Sequence, residues 1–241
     1  MRAFRAEAVL ALLASVVVAS TGCSPSTSEQ PPSSASSSPP PAAAARRVDL
    51  ARLGSIADAF PPGHPANPLF GPGKVDELTG SAVGDLVSYG KALTVDPDSC
   101  RALLKPVEAK AGADSASITS ATGPQDPFIA VSADDPVSVP AAIPTSGCDR
   151  FAFAVQSAVP DGTVERLPAP SFDDAVTYAL KVDFTVTNPN STQTPLVEYF
   201  YNAILDGRTY VTLWARVPPD FAAEPVLPDL MSKAVYAIRG D

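Results

Sequence analysis

From residue 175 to 187 the chain alternates strictly. Val176, Tyr178, Leu180, Val182, Phe184 and Val186 fall on one side, and Thr177, Ala179, Lys181, Asp183, Thr185 and Thr187 on the other. A period of two with one apolar side predicts a strand of an antiparallel sheet buried on one face. Shorter runs, ASITSA from 116, PFIAVSA from 127, RFAFAVQ from 150 and GTVERL from 162, predict further strands. Beyond them PLVEYFYNAIL and RTYVTLWARV flank Asp206-Gly207, a type I′ hairpin signal. A two-residue turn sets Leu205 opposite Arg208, Ala203 opposite Tyr210, Tyr201 opposite Thr212 and Tyr199 opposite Trp214. That register gathers Tyr199, Tyr201, Tyr210 and Trp214 on one face and leaves Phe200, Ile204, Val211 and Leu213 on the other.

Helical spacing brackets this block. Leu50, Leu53, Ile56, Ala57 and Phe60 fit one face of a helix. The FPPGHPANPLFGPGK that follows is too rich in proline and glycine for regular structure. VDELTGSAVGDLVSYG predicts a second helix, weakened by Gly80 and Gly84. VDPDSCRALLKP predicts a short third, with Asp96 as N-cap, Pro97 in first position and Pro106 as stop. From Pro228 on, Leu230, Met231, Ala234, Val235 and Ile238 form the apolar stripe of a closing helix. The expected fold over residues 47–241 is therefore a single α+β domain. An antiparallel β-sheet of about six strands is packed on one face by N-terminal helices and a C-terminal helix, and its other face is partly open.

The pattern ahead of residue 47 is different. Arg2 and Arg5 precede an apolar stretch from Ala8 to Ala19, too short to span a bilayer and of the size of a signal-peptide core. It ends in Ser20-Thr21-Gly22-Cys23, which resembles the lipobox of bacterial lipoproteins, with Ser20 where that motif usually has Leu. The resemblance implies cleavage after residue 22, lipidation of Cys23 and a cell-membrane anchor facing the extracytoplasmic side. Residues 23–46 hold no aromatic and no branched aliphatic residue, so they read as a disordered Ser/Pro/Ala-rich tether. Two acyl chains anchor stably where one is marginal, so the expected attachment is by lipid.

Composition narrows the partners. The formal charge is −9, and loss of Arg2, Arg5 and Glu7 with the signal takes it to −10. An acidic chain without a basic run argues against nucleic acid, whose phosphates supply most binding affinity. With Cys23 lipidated, Cys100 and Cys148 are left over. In an exported protein two such cysteines favour a disulfide over two free buried thiols. Two cysteines and one histidine without short spacing make a poor metal site, and no cofactor motif occurs.

Catalytic candidates are weak. The only histidine, His64, lies in a loop that fixes no base, and no GxSxG elbow is present. Asp134-Asp135 and Asp173-Asp174 are adjacent pairs beside turn signals; neighbours on a strand point to opposite faces. Asn190 begins an Asn-Ser-Thr acceptor pattern of little use in a bacterial lipoprotein. The expectation is a non-enzyme. The aromatic hairpin face, Tyr199, Tyr201, Tyr210 and Trp214, is the candidate ligand surface, since rings with polar handles suit lipid or glycan.

DLVSYGKALTVDPDSCRALLKPV, SGCDRFAFAV and GTVERLPAP are similar to mycobacterial exported lipoproteins carrying a domain of unknown function. More distantly, the chain resembles the extracellular sensor domain of the mycobacterial receptor kinase PknH. The first resemblance covers most of 47–241, and it implies a Cys100–Cys148 bridge. The sensor domain implies an antiparallel sheet with packed helices and a ligand groove. It has two bridges, whereas this chain has cysteines for one. Together these readings imply a membrane-anchored, non-catalytic binding or sensing module for an apolar or glycan envelope ligand. The alternative is a scaffold or assembly partner of envelope membrane proteins.

Overall fold

The computed structural model describes residues 47–120, 127–156, 161–187 and 193–241. One antiparallel sheet of nine strands runs through it, where about six are expected. The strands are β1 Phe70–Lys74, β2 Leu93–Asp96, β3 Glu108–Thr119, β4 Phe128–Ser138, β5 Arg150–Val155, β6 Gly162–Leu167, β7 Ala175–Thr187, β8 Gln193–Leu205 and β9 Thr209–Arg216. Their order is β1-β3-β4-β9-β8-β7-β6-β5-β2. The alternating runs all become strands. The two edges, β1 and β2, carry no alternation that would announce them. β1 lies inside the proline- and glycine-rich stretch expected to be irregular. It pairs with β3 at Phe70–Ser117 and Lys74–Asp114, with a shift in register between. An edge strand can hold a proline because one of its sides needs no ladder.

Helices cover both faces, not one. The first face lies under a 3₁₀ helix, Leu50–Ala59, and the long helix α3, Ala223–Arg239. Leu50, Leu53 and Ile56 are its buried residues. Their spacing of three matches a 3₁₀ winding, which stacks every third side chain in one row. Asp49 caps this helix by accepting from Ala51 N at 3.0 Å, and Asp49 N donates to Ile238 O of α3 at 2.8 Å. α3 starts ahead of Pro228 and buries Leu227 along with the expected stripe. It ends at Gly240, whose φ of 81° lets its N–H reach back to Tyr236 O at 2.9 Å. Beneath these helices Ile118, Val131, Ala179, Tyr201, Val211 and Leu213 form one apolar core.

The second face is covered by short pieces. The expected helix over 75–90 is only α1, Glu77–Ala82, capped by Asp76. Gly84, at φ 78°, turns the chain out of it. Asp96 closes β2 instead of capping a helix. Pro97 leads a 3₁₀ turn, Asp98–Cys100, that runs into α2, Arg101–Leu104. Leu103 and Leu104 pack with Phe151, Val164, Leu180 and Phe200 of the sheet. A disulfide joins Cys100 to Cys148, with Cα atoms 5.6 Å apart. It pins this cover at the loop before β5.

Candidate functional site

The hairpin decides where the aromatic candidates go. Asp206 and Gly207 have φ of 51° and 63°, and Arg208 N donates to Leu205 O at 2.9 Å, as in a type I′ turn. The ladder, however, resumes with Leu205 opposite Thr209, so Arg208 is an extra residue. β4 holds it there. Val137 N donates to Arg208 O at 2.8 Å, and the Arg208 guanidinium donates to Asp135 at 3.0 and 3.3 Å. One extra residue flips every later side chain to the other face. Tyr199 now stands opposite Ala215, Tyr201 opposite Leu213, Phe200 opposite Trp214 and Ile204 opposite Tyr210. The expected four-residue surface is thus split. Tyr199 and Tyr201 pack in the core under α3, while Tyr210 and Trp214 lie on the second face.

The second face is chemically the richer one. Trp214 stacks on Phe200 at 6.1 Å and meets Phe128 edge-on at 4.6 Å. Tyr89, 61 % exposed, tilts over the same indole at 6.4 Å. Arg216 sits 5.3 Å above the Phe128 ring and pairs with Glu198, donating to Oε1 from both Nε, at 3.0 Å, and Nη2. Glu198 is only 1 % exposed. Burial pushes its carboxyl up; the Arg216 bond and charge, and then the Trp214 indole, oppose that shift. Trp214 Nε1 is itself buried without a hydrogen bond of good geometry.

A cavity of about 480 Å³ opens at this place. Val87, Phe153, Val155, Phe184 and Val186 give it apolar walls, with Glu198 inside and Lys91 and Asp161 also lining it. Each wall is positioned by sequence. Asp85 accepts from Ser88 N at 2.8 Å, Ser88 Oγ at 2.6 Å and Gly90 N at 2.6 Å, which clamps the loop carrying Val87 and Tyr89. Gly162 leaves space for the Phe153 ring, since a Cβ there would come within 2.7 Å of it.

A second polar group lies further along the face. Tyr210 Oη and Thr212 Oγ1 donate to Asn202 Oδ1 at 2.6 and 2.9 Å. Tyr178 Oη, beside the Tyr210 hydroxyl, and Asn202 Nδ2 are buried without a hydrogen bond of good geometry. Asp134, 4 % exposed, has its carboxyl pushed up to about 6 by burial, against a bond from Ser115.

The catalytic candidates do not assemble. His64 packs edge-on against Phe221 at 5.6 Å. Asp134 and Asp135 sit within β4, not at a turn, and point to opposite faces as neighbours on a strand must. Asp135 is tied to Arg208 and Thr209. Asp174, at φ 54°, accepts from Asp206 N, and Asp173 O accepts from Arg239, so that pair serves a turn. Among the described residues no group of three or more metal-ligating side chains occurs, and no helix is long and apolar enough to cross a membrane. Cys23, the signal, the tether and Asn190 lie outside the described residues.

The comparisons fit this geometry. The family model "Domain of unknown function (DUF5642)" matches residues 49–239. The chain belongs to the DUF5642 family. A solved structure with similar architecture is the X-ray structure of an uncharacterized protein (Rv0999 ortholog) from Mycobacterium smegmatis. It is 22 % identical, with a TM-score of 0.56, and the match covers 80 % of this chain and 97 % of that one. This likeness speaks for the fold alone. No match was found among curated proteins. The lining of the cavity in this DUF5642 domain includes none of Tyr199, Tyr201, Tyr210 and Trp214, but the sequence carries a signal for Glu198. In β8 and β9, Glu198 and Arg216 stand in phase with Phe200 and Trp214, where a buried strand should be apolar.

Proposed function

We propose that this protein is a non-catalytic binding or sensing module, held at the outer side of a cell membrane by lipid on Cys23. A signal peptide over residues 1–22 and a tether over 23–46 complete the reading. The observation that carries it is the cavity beside the hairpin. About 480 Å³ lies within the range of small-ligand sites, and apolar walls around one buried acid are their usual make-up. The absence of an assembled base and nucleophile among His64 and the acidic pairs supports binding without turnover. The ligand is an apolar or glycan component of the envelope, and the partners are that ligand and the membrane, not nucleic acid.

Two experiments test the reading. Mass spectrometry of the membrane-extracted chain is expected to find Cys23 acylated at a new N-terminus; an unmodified Cys23 removes the anchor. Melting of the full-length chain with envelope lipid and glycan extracts is expected to shift upward with at least one fraction. No shift with any fraction removes the ligand. A second reading, a scaffold for envelope membrane proteins, draws on Phe70 and Leu78, which are 79 % and 82 % exposed. Crosslinking through these two positions in cells, with no ligand shift, would favour it.

A further inference from the structure

The walls of the cavity and its rim differ in chemistry. Val87, Val155, Phe184 and Val186 are half-buried and Phe153 is buried, so the walls offer apolar surface. The polar groups between them are already engaged. Ser88 Oγ donates to Asp85 at 2.6 Å. Glu198 accepts from Arg216 and lies against the Trp214 indole. Asp161 accepts from Val155 N and is engaged further. A sugar buried here would give up water around several hydroxyls and meet wall groups committed to one another, at a cost for each hydroxyl. An alkyl chain needs no such partner and gains by leaving water.

The exposed members of the lining are Tyr89, Lys91 and Thr185. Tyr89 at φ 51° and Gly90 at φ 79° carry the chain through two left-handed residues. For a tyrosine that conformation is uncommon and persists where the surroundings fix it. Here Asp85 accepts from Ser88 N and Gly90 N, one on each side of Tyr89, and Lys91 N donates to Ser88 O at 3.0 Å. The rim is thus built before a ligand arrives. Its cation is Lys91, whose ammonium pairs with no carboxylate among the described residues. An acid group at the rim gains that charge while staying in contact with water, and so avoids the cost of burial. An ammonium there would face Lys91 as a like charge. We infer that the cavity takes an alkyl chain with an anionic end, as in a fatty acid, the chain against Phe153, Val155 and Phe184 and the acid at Lys91. This inference rests on the cavity being the binding site.

The test uses the full-length chain with Cys23→Ser, so that no acyl chain of its own competes. Calorimetry measures butanoate, hexanoate and octanoate, then octanol, octylammonium and maltose. Affinity is expected to rise about fourfold with each added methylene, and maltose should not bind. Octanoate should bind about fivefold more tightly than octylammonium, the scale of an exposed ion pair. Lys91→Glu should remove that preference and leave octanol within twofold. Val155→Trp, which fills the cavity, should abolish octanoate binding. Lys91→Glu changes an exposed side chain and still tests the placement if Val155→Trp fails to fold. Octylammonium binding as tightly as octanoate, or Lys91→Glu without effect, overturns the anionic end. Affinity that does not grow with chain length, or maltose binding in place of octanoate, overturns the alkyl chain. If no probe binds but Val155→Trp removes the melting shift of an envelope fraction, the ligand class falls and the cavity stays as the site. If octanoate binding or that melting shift survives Val155→Trp, the cavity reading itself falls.

Discussion

The two faces of the sheet are built to different rules. Under the 3₁₀ helix and α3, residues such as Ile118, Val131, Val211, Leu213 and Leu227 close an apolar core, and no unpartnered buried polar atom belongs to it among the described residues. The other face holds three buried polar atoms without a hydrogen bond of good geometry: Tyr178 Oη, beside the Tyr210 hydroxyl, Asn202 Nδ2, and Trp214 Nε1, beside the Glu198 carboxyl. It also holds the two buried acids, Asp134 and Glu198, the disulfide and the cavity. Buried polar groups in poor hydrogen-bond geometry lower stability. The first face is closed by apolar packing, whereas the second mixes buried polar groups into its core.

That contrast can be broken or sharpened by measurement. The largest effect is expected at the bridge. Replacing both Cys100 and Cys148 by Ser opens a loop of 48 positions and should cost about 4 kcal/mol by the loop-entropy argument. Denaturant unfolding would read it, and a loss under 1 kcal/mol would mean that the short cover holds itself down without help. Next comes Leu213→Ala on the apolar face. A fully buried leucine there should cost about 3 kcal/mol yet leave in place the melting shift that a binding envelope fraction gives. Loss of that shift would show that the faces are not separable.

Asp134 gives the third effect. An unfolded aspartate titrates near 3.9, whereas burial holds Asp134 at about 6. The folded form therefore binds its proton more readily than the unfolded one. Stability from this group is present at pH 4, falls as pH rises toward 6 and stays lower above it, by roughly 2 to 3 kcal/mol. Asp134→Asn should raise the melting temperature at pH 8 and leave it nearly unchanged at pH 4. Equal shifts at both pH values would refute the assignment. Fourth, Tyr178→Phe removes a buried hydroxyl that lies beside the Tyr210 hydroxyl without a hydrogen bond of good geometry, so it should change stability by no more than about 1 kcal/mol. The smallest effect belongs to His64→Ala, which loses only an edge contact with Phe221. It should change melting by less than about 1 kcal/mol and ligand binding not at all.

The candidate site was only half legible. Alternation in β7 and the stripe of α3 announced themselves, because a strand's period of two and a helix's stripe are written locally. The bridge could be expected from the cysteine count. The cavity draws Val87 from one loop, Phe153 from β5, Phe184 from β7 and Glu198 from β8. No spacing in the chain relates these positions. Glu198 and Arg216 stood out as charges in an apolar phase, but their meaning depended on knowing which face each strand turned inward.

The sequence by itself determined the long strands, the closing helix, the pairing of cysteines and the turn at Asp206-Gly207. Each of these follows from residues close together, or from a count. Only the tertiary structure decided the register after that turn. Arg208 is drawn out of the ladder by Val137 N and Asp135 of β4, some seventy positions away. That single displacement put Tyr199 and Tyr201 into the core and turned Trp214 toward Glu198. A side chain's face changes with every one-residue slip, so a distant hydrogen bond could settle what the alternation alone left open.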